Sequence, residues 1–90
     1  MWINQENIAK KFRFSDTKLL EEFTLFLIQT MREKKMTQAA FAAEIDVDVK
    51  TVSRWSTGKN RCSVVNFYNI ICMIGVDDFN IYLEDKYKGK

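Results

Sequence analysis

No proline interrupts this 90-residue chain, and its three glycines, Gly58, Gly75 and Gly89, all lie beyond residue 57. With so few breakers, the apolar residues that recur at helical period predict a mostly helical fold joined by short connections. An apolar fraction of 47% over this length fills one modest core and leaves no room for a second domain. The chain divides into an N-terminal arm over 1–14, which covers the domain or serves in dimerisation, a helical domain over 15–83, and a polar tail over 84–90. No internal repeat or low-complexity stretch is present.

Within the domain, Ser15 or Asp16 can cap a first helix running to about Lys35. Leu19, Leu20, Phe23, Phe26, Leu27 and Met31 share its core face. Leu25 and Ile28 fall on the opposite side and need a cover, either the arm or a second subunit. The arm carries Trp2, Ile3, Ile8, Phe12 and Phe14, and Lys11-Phe12-Arg13-Phe14 alternates with the period of a strand. Thr37 can cap a short second helix that ends near Ile45 and turns Ala40, Phe41 and Ile45 inward. After Asp46-Val47-Asp48, Asp48 can cap a third helix with Val52 and Trp55 inward and Gly58 just past its end. Ser63 can cap a fourth, with Val64, Phe67, Ile70, Ile71 and Ile74 inward and Gly75 ending it through a positive φ. Asp77 can cap a fifth reaching about Leu83, although Phe79, Ile81 and Leu83 also alternate as a strand would. The fold class is therefore all-α, four to five helices, with a short strand allowed only in the arm or the C-terminal segment.

Several function classes are disfavoured by composition. Histidine is absent and the only cysteines are Cys62 and Cys72, so imidazole acid/base chemistry is excluded and too few soft ligands remain for a closed zinc site. A cysteine nucleophile would lack its usual base, and there is no glycine-rich phosphate loop. We expect no catalytic residues, no metal and no cofactor. The most apolar short run, Phe23 to Ile28, is far below the roughly 20 residues of a membrane span. The start Met1-Trp2-Ile3-Asn4-Gln5-Glu6 lacks the pattern of a secretory signal, which gives a cytoplasmic expectation with reduced thiols. Both thiols read as inert; Cys62, beside Arg61, is the better candidate should either be reactive.

Charge is unevenly distributed. From Val49 to Val76 the chain has Lys50, Arg54, Lys59 and Arg61 and no acidic residue, a local surplus of four in a chain whose formal total is +2. On its own this is as consistent with a solvated basic face as with a polyanion site. It coincides, however, with Met36-Thr37-Gln38-Ala39-Ala40-Phe41-Ala42, Val47-Asp48-Val49-Lys50-Thr51-Val52-Ser53-Arg54-Trp55-Ser56-Thr57-Gly58-Lys59, Ser63 and Ile74-Gly75-Val76. Together these resemble the helix-turn-helix of Cro and phage-repressor type regulators, the Xre-like family, over roughly residues 19 to 83.

That resemblance implies a lambda-repressor-like DNA-binding domain acting as a homodimer on a palindromic operator, commonly as a repressor of phage or mobile-element type. It places the recognition helix at about Val49 to Thr57, with Val49, Lys50, Thr51 and Arg54 toward base edges. It implies phosphate contacts from Thr37 and Gln38 and from Lys59, Asn60 and Arg61. Inverted half-sites would lie about 34 Å apart. Two positions depart from the pattern: Asp46 stands where glycine is usual, in a left-handed turn that Asp tolerates, and Cys62 stands where proline is common. Ala42 suits a close helix crossing, while Trp55 shares a face with Val52 and reads as core. Glu44, Asp46 and Asp48 would repel phosphate, which implies moderate half-site affinity supplemented by pairing of subunits. The alternative is a protein-interaction module on the same fold, an antitoxin, antirepressor or accessory subunit, motivated by the aromatic arm and the second apolar face of the first helix.

Overall fold

A computed structural model of the chain describes residues 15–88. It contains five helices in order: α1 (Asp16–Glu33), α2 (Gln38–Glu44), α3 (Val49–Ser56), α4 (Val64–Ile74) and α5 (Asp77–Lys86), and no strand among the described residues. The fold is thus a small all-α domain, and the strand alternative for the C-terminal segment is replaced by α5. The strand alternative for the arm lies outside the described residues. No described helix is long and apolar enough to cross a membrane.

Side-chain caps start the first four helices where the sequence places them. The oxygens of Ser15, Thr37, Asp48 and Ser63 accept from the amides of Lys18, Ala40, Lys50 and Asn66 at 3.1, 3.1, 2.8 and 3.1 Å. Each cap contributes about 1 kcal/mol by satisfying an otherwise unpaired first-turn donor. α5 differs from expectation here: Val76 occupies the cap position with no side-chain bond, and Asp77 is the first helical residue. There Asp77 and Asp78 act through their charge at the positive end of the helix dipole. Gly75 ends α4 with φ 79°, a conformation that costs other residues a Cβ clash.

α1 is the central element, and α3, α4 and α5 all pack against it. Its expected core residues are buried, and so are Glu22, Thr24 and Ile28. Ile28 therefore belongs to the core rather than to a second face awaiting a cover. It borders a surface cleft with Tyr82 and Lys86 of α5, whereas Leu25 stays 51% exposed. The buried face is wider than the apolar stripe of the sequence because a helix surrounded by three others buries most of its circumference.

Between α1, α4 and α5 the packing is aromatic. Phe23 meets Phe67 and Phe79 edge-on at ring separations of 4.8 and 5.0 Å, and Phe26 lies 5.3 Å from Phe79 and 5.4 Å from Tyr82. Such pairs add about 0.5–1.5 kcal/mol each beyond the area they bury.

Three inward assignments are corrected. Ala40 is exposed, its place beside Phe41 taken by Ala42, and Val64 and Ile74 at the ends of α4 are also exposed while Phe67 and Ile70 fill the core. The terminal positions of a short amphipathic helix extend past the neighbour that its centre packs against.

α5 continues past Leu83 to Lys86, so the start of the 84–90 segment is helical. The cause is Glu22, a fully buried carboxylate on α1. Lys86 Nζ donates to its Oε1 at 2.5 Å and the Tyr87 hydroxyl donates to its Oε2. Burial alone would push the Glu22 carboxyl up, but these hydrogen bonds and the charges of Lys86 and Lys18 outweigh it and hold the group below its ordinary value.

Candidate nucleic-acid interface

The α2–α3 pair is set by a short connection. Ile45 is buried as the C-cap that follows α2, Asp46 takes φ 58°, and the Val47 amide returns to the Ala42 carbonyl at 2.9 Å. Asp46 thus adopts the left-handed conformation expected of it, which a short polar side chain tolerates better than most. Val47 packs on the core and Ala42 is buried, so α2 lies close against α3. Val52 and Trp55 bury the inner face of α3, which turns the opposite face outward.

That outward face carries Val49 at 44% exposure together with exposed Lys50 and Arg54, the two cations one helical turn apart. Thr51 sits at its edge, half-buried on the side of Trp55. Ser53, absent from the expected base-contacting residues, is half-buried on the same face between Val49, Lys50 and Arg54. A count at 100° per residue would have found it.

After α3 the chain folds back on the helix end. Gly58, at φ 75°, donates to the Trp55 carbonyl at 3.2 Å, and the Lys59 amide donates to the Arg54 carbonyl at 3.0 Å. This brings Lys59, Asn60 and Arg61 beside Arg54. They share an open groove of about 810 Å³ with Thr51, Ser63 and Asn66, whose α1 wall includes Leu25 and Glu21. Glu21 is the one acidic side chain among its described lining residues.

The loop is tied down by Thr24, a second residue that the sequence reading did not single out. Its buried hydroxyl accepts the Cys62 amide at 2.6 Å and donates to the Leu20 carbonyl at 2.7 Å. One side chain on α1 therefore fixes where Lys59–Arg61 stand, and no local signal at Thr24 announces a partner 38 residues away. Cys62 itself is fully buried, and burial pushes its thiol up to about 12. That corrects the choice of Cys62 as the more reactive cysteine: the thiolate is not formed near neutral pH, and the exposed thiol is Cys72 on α4.

The structure gathers Thr51, Arg54, Lys59, Asn60 and Arg61 around the groove. Val49 and Lys50 stand on the adjoining outer face of α3 and do not line it. Thr37 and Gln38 open α2 away from the groove, Thr37 exposed and already accepting from Ala40, Gln38 half-buried. Two of the three neighbouring carboxylates are engaged: Asp48 caps α3, and Glu44 lies 3.4 Å from Lys34. No cluster of described residues could hold a metal ion. Comparison of the chain with protein-family models, with curated proteins and with solved structures finds no match.

Proposed function

We propose that this chain is a sequence-specific duplex-DNA-binding regulator, a repressor of helix-turn-helix type that acts in the cytoplasm as a homodimer on a palindromic operator. The observation that carries the reading is the outward face of α3, where Lys50 and Arg54 stand exposed on the side opposite buried Val52 and Trp55. A helix with that construction can enter the major groove while its apolar side stays in the core. Lys50 and Arg54 donate to guanine O6 and N7, and Val49 meets a thymine methyl, with Thr51 at the edge of the reading face. Arg61, Lys59 and Asn60 bind phosphate on one side and Thr37 and Gln38 on the other, which sets register without carrying sequence information.

Selection from a random duplex library, followed by anisotropy titration of the enriched sequence at two salt concentrations, tests this reading. The expected result is a palindrome whose enrichment is lost in the K50A/R54A double variant. Binding should weaken with salt in proportion to the phosphates neutralised. Weak salt-sensitive binding with no enrichment would overturn it. The apolar side chains exposed on α4 would then favour the protein-interaction reading, with a partner pull-down as its test.

A further inference from the structure

The longest stretch of the chain without Asp, Glu, Lys or Arg runs from Cys62 to Val76 and contains the whole of α4. Phe67 and Ile70 face the core, which leaves the opposite side of α4 to solvent. That side carries Val65, 66% exposed, Tyr68, 61% exposed, and the exposed residues Asn69 and Cys72. At 100° per residue Val65, Tyr68 and Cys72 lie within about 60° of arc, a seam with the three-then-four spacing of helix pairs. None of these residues lines the basic groove, although Ser63 and Asn66 at the start of the same helix do.

From this we infer that the exposed face of α4 pairs with α4 of a second copy, antiparallel, about a two-fold axis near Tyr68 and Asn69. A two-fold interface sets each patch against itself, so any charge near the axis meets its own like; a face without charge avoids that repulsion. A partner recognised through charge would find nothing to read there. The antiparallel sense follows from the groove. Parallel pairing would bring both α4 N-termini, and with them Arg54, Lys59 and Arg61 of both copies, to one end. Antiparallel pairing sends the two basic grooves to opposite ends of the pair and opposes the helix dipoles favourably. An 11-residue helix is short against the roughly 800 Å² per partner of a standard interface, so the pair is weak when free. Its completion on adjacent half-sites, where effective concentration is high, rests on the DNA-binding reading.

The arrangement sets Val65 of one copy opposite the Cys72 position of the other. The two copies of Cys72 lie about 10 Å apart along the helix axis, outside disulfide reach. Oxidation of the full-length Val65→Cys variant with copper-phenanthroline, without DNA, is the test. We expect a covalent dimer from V65C as the main product and monomer from both wild type and V65C/C72S. In a second measurement, Tyr68→Glu in the otherwise unaltered chain should weaken self-association at least tenfold by sedimentation equilibrium, with an unchanged circular dichroism spectrum. A wild-type dimer linked through Cys72 would overturn the antiparallel register. A folded V65C that stays monomeric would overturn the pairing and show that another segment or another molecule occupies the face. Since no DNA enters either measurement, failure to select an operator would leave both outcomes readable.

Discussion

The two halves of this domain are held together by different forces. In the half formed by α2, α3 and the loop to Cys62, the backbone is shaped by contacts within a few residues, namely caps at Thr37 and Asp48, a left-handed Asp46, and amides of Val47, Gly58 and Lys59 returning to carbonyls just upstream, while Phe41, Ile45, Val52 and Trp55 anchor it in the common core and Thr24 ties down Cys62. In the half formed by α1, α4 and α5 it comes from interlocked rings and from a buried carboxylate whose partners lie 64 and 65 residues away. The contrast implies a division of labour: the buried rings and the buried carboxylate carry stability, and the outward side of α3 with the loop after it presents a polar surface that stability does not depend on.

The largest effect expected from that division is for Phe79→Ala. Removing a fully buried ring that touches Phe23 and Phe26 should cost about 4 kcal/mol, read as a lowered urea midpoint. A loss under about 1 kcal/mol would show that the rings do not dominate.

Lys86→Ala should cost about 2 kcal/mol, because it removes a charge-assisted hydrogen bond from a buried carboxylate. The same site gives a pH signature. Since the folded protein holds Glu22 below its ordinary 4.5, its contribution is present above that value and is lost as pH falls through the lower folded value. As pH falls below about 4.5 wild type should therefore lose more stability than Glu22→Gln. Equal losses in the two proteins would remove Glu22 from the acid limb.

Thr24→Val links the halves. It strands the Cys62 amide, costs about 1–2 kcal/mol, and should weaken DNA binding more than stability alone explains, by releasing Lys59–Arg61. Melting and anisotropy on the same variant measure both, and unaltered affinity in the folded variant would show that the loop needs no anchor.

Smallest in stability is K50A/R54A, expected within about 0.5 kcal/mol of wild type by urea melting, because both side chains are exposed. A large loss there would erase the distinction between the halves.

Legibility in the sequence follows the same line. Four of the helix starts were readable because Ser15, Thr37, Asp48 and Ser63 act on amides two or three residues ahead. Val52 and Trp55 were recognisable as the inner face of α3, so its outer face was too, apart from Ser53. What escaped was whatever depends on a distant partner. Thr24 looks like an ordinary helical threonine, Glu22 like one of two adjacent surface acids, and Lys86 like part of a polar tail.

By itself, then, the sequence determined a mostly helical chain, the capped starts of α1 to α4 and the basic run from Lys50 to Arg61, since caps rest on hydrogen bonds over a few residues and charge is written in the residues themselves; the left-handed turn at Asp46 was implied by the family resemblance. Only the tertiary structure decided that α1 is buried around most of its circumference, that Cys62 is sealed and Cys72 open, and that Val64 and Ile74 at the ends of α4 are left outside. The reason is that burial is a relation between helices: an apolar residue's periodicity tells which face it shares, and the neighbour that covers that face is specified elsewhere in the chain.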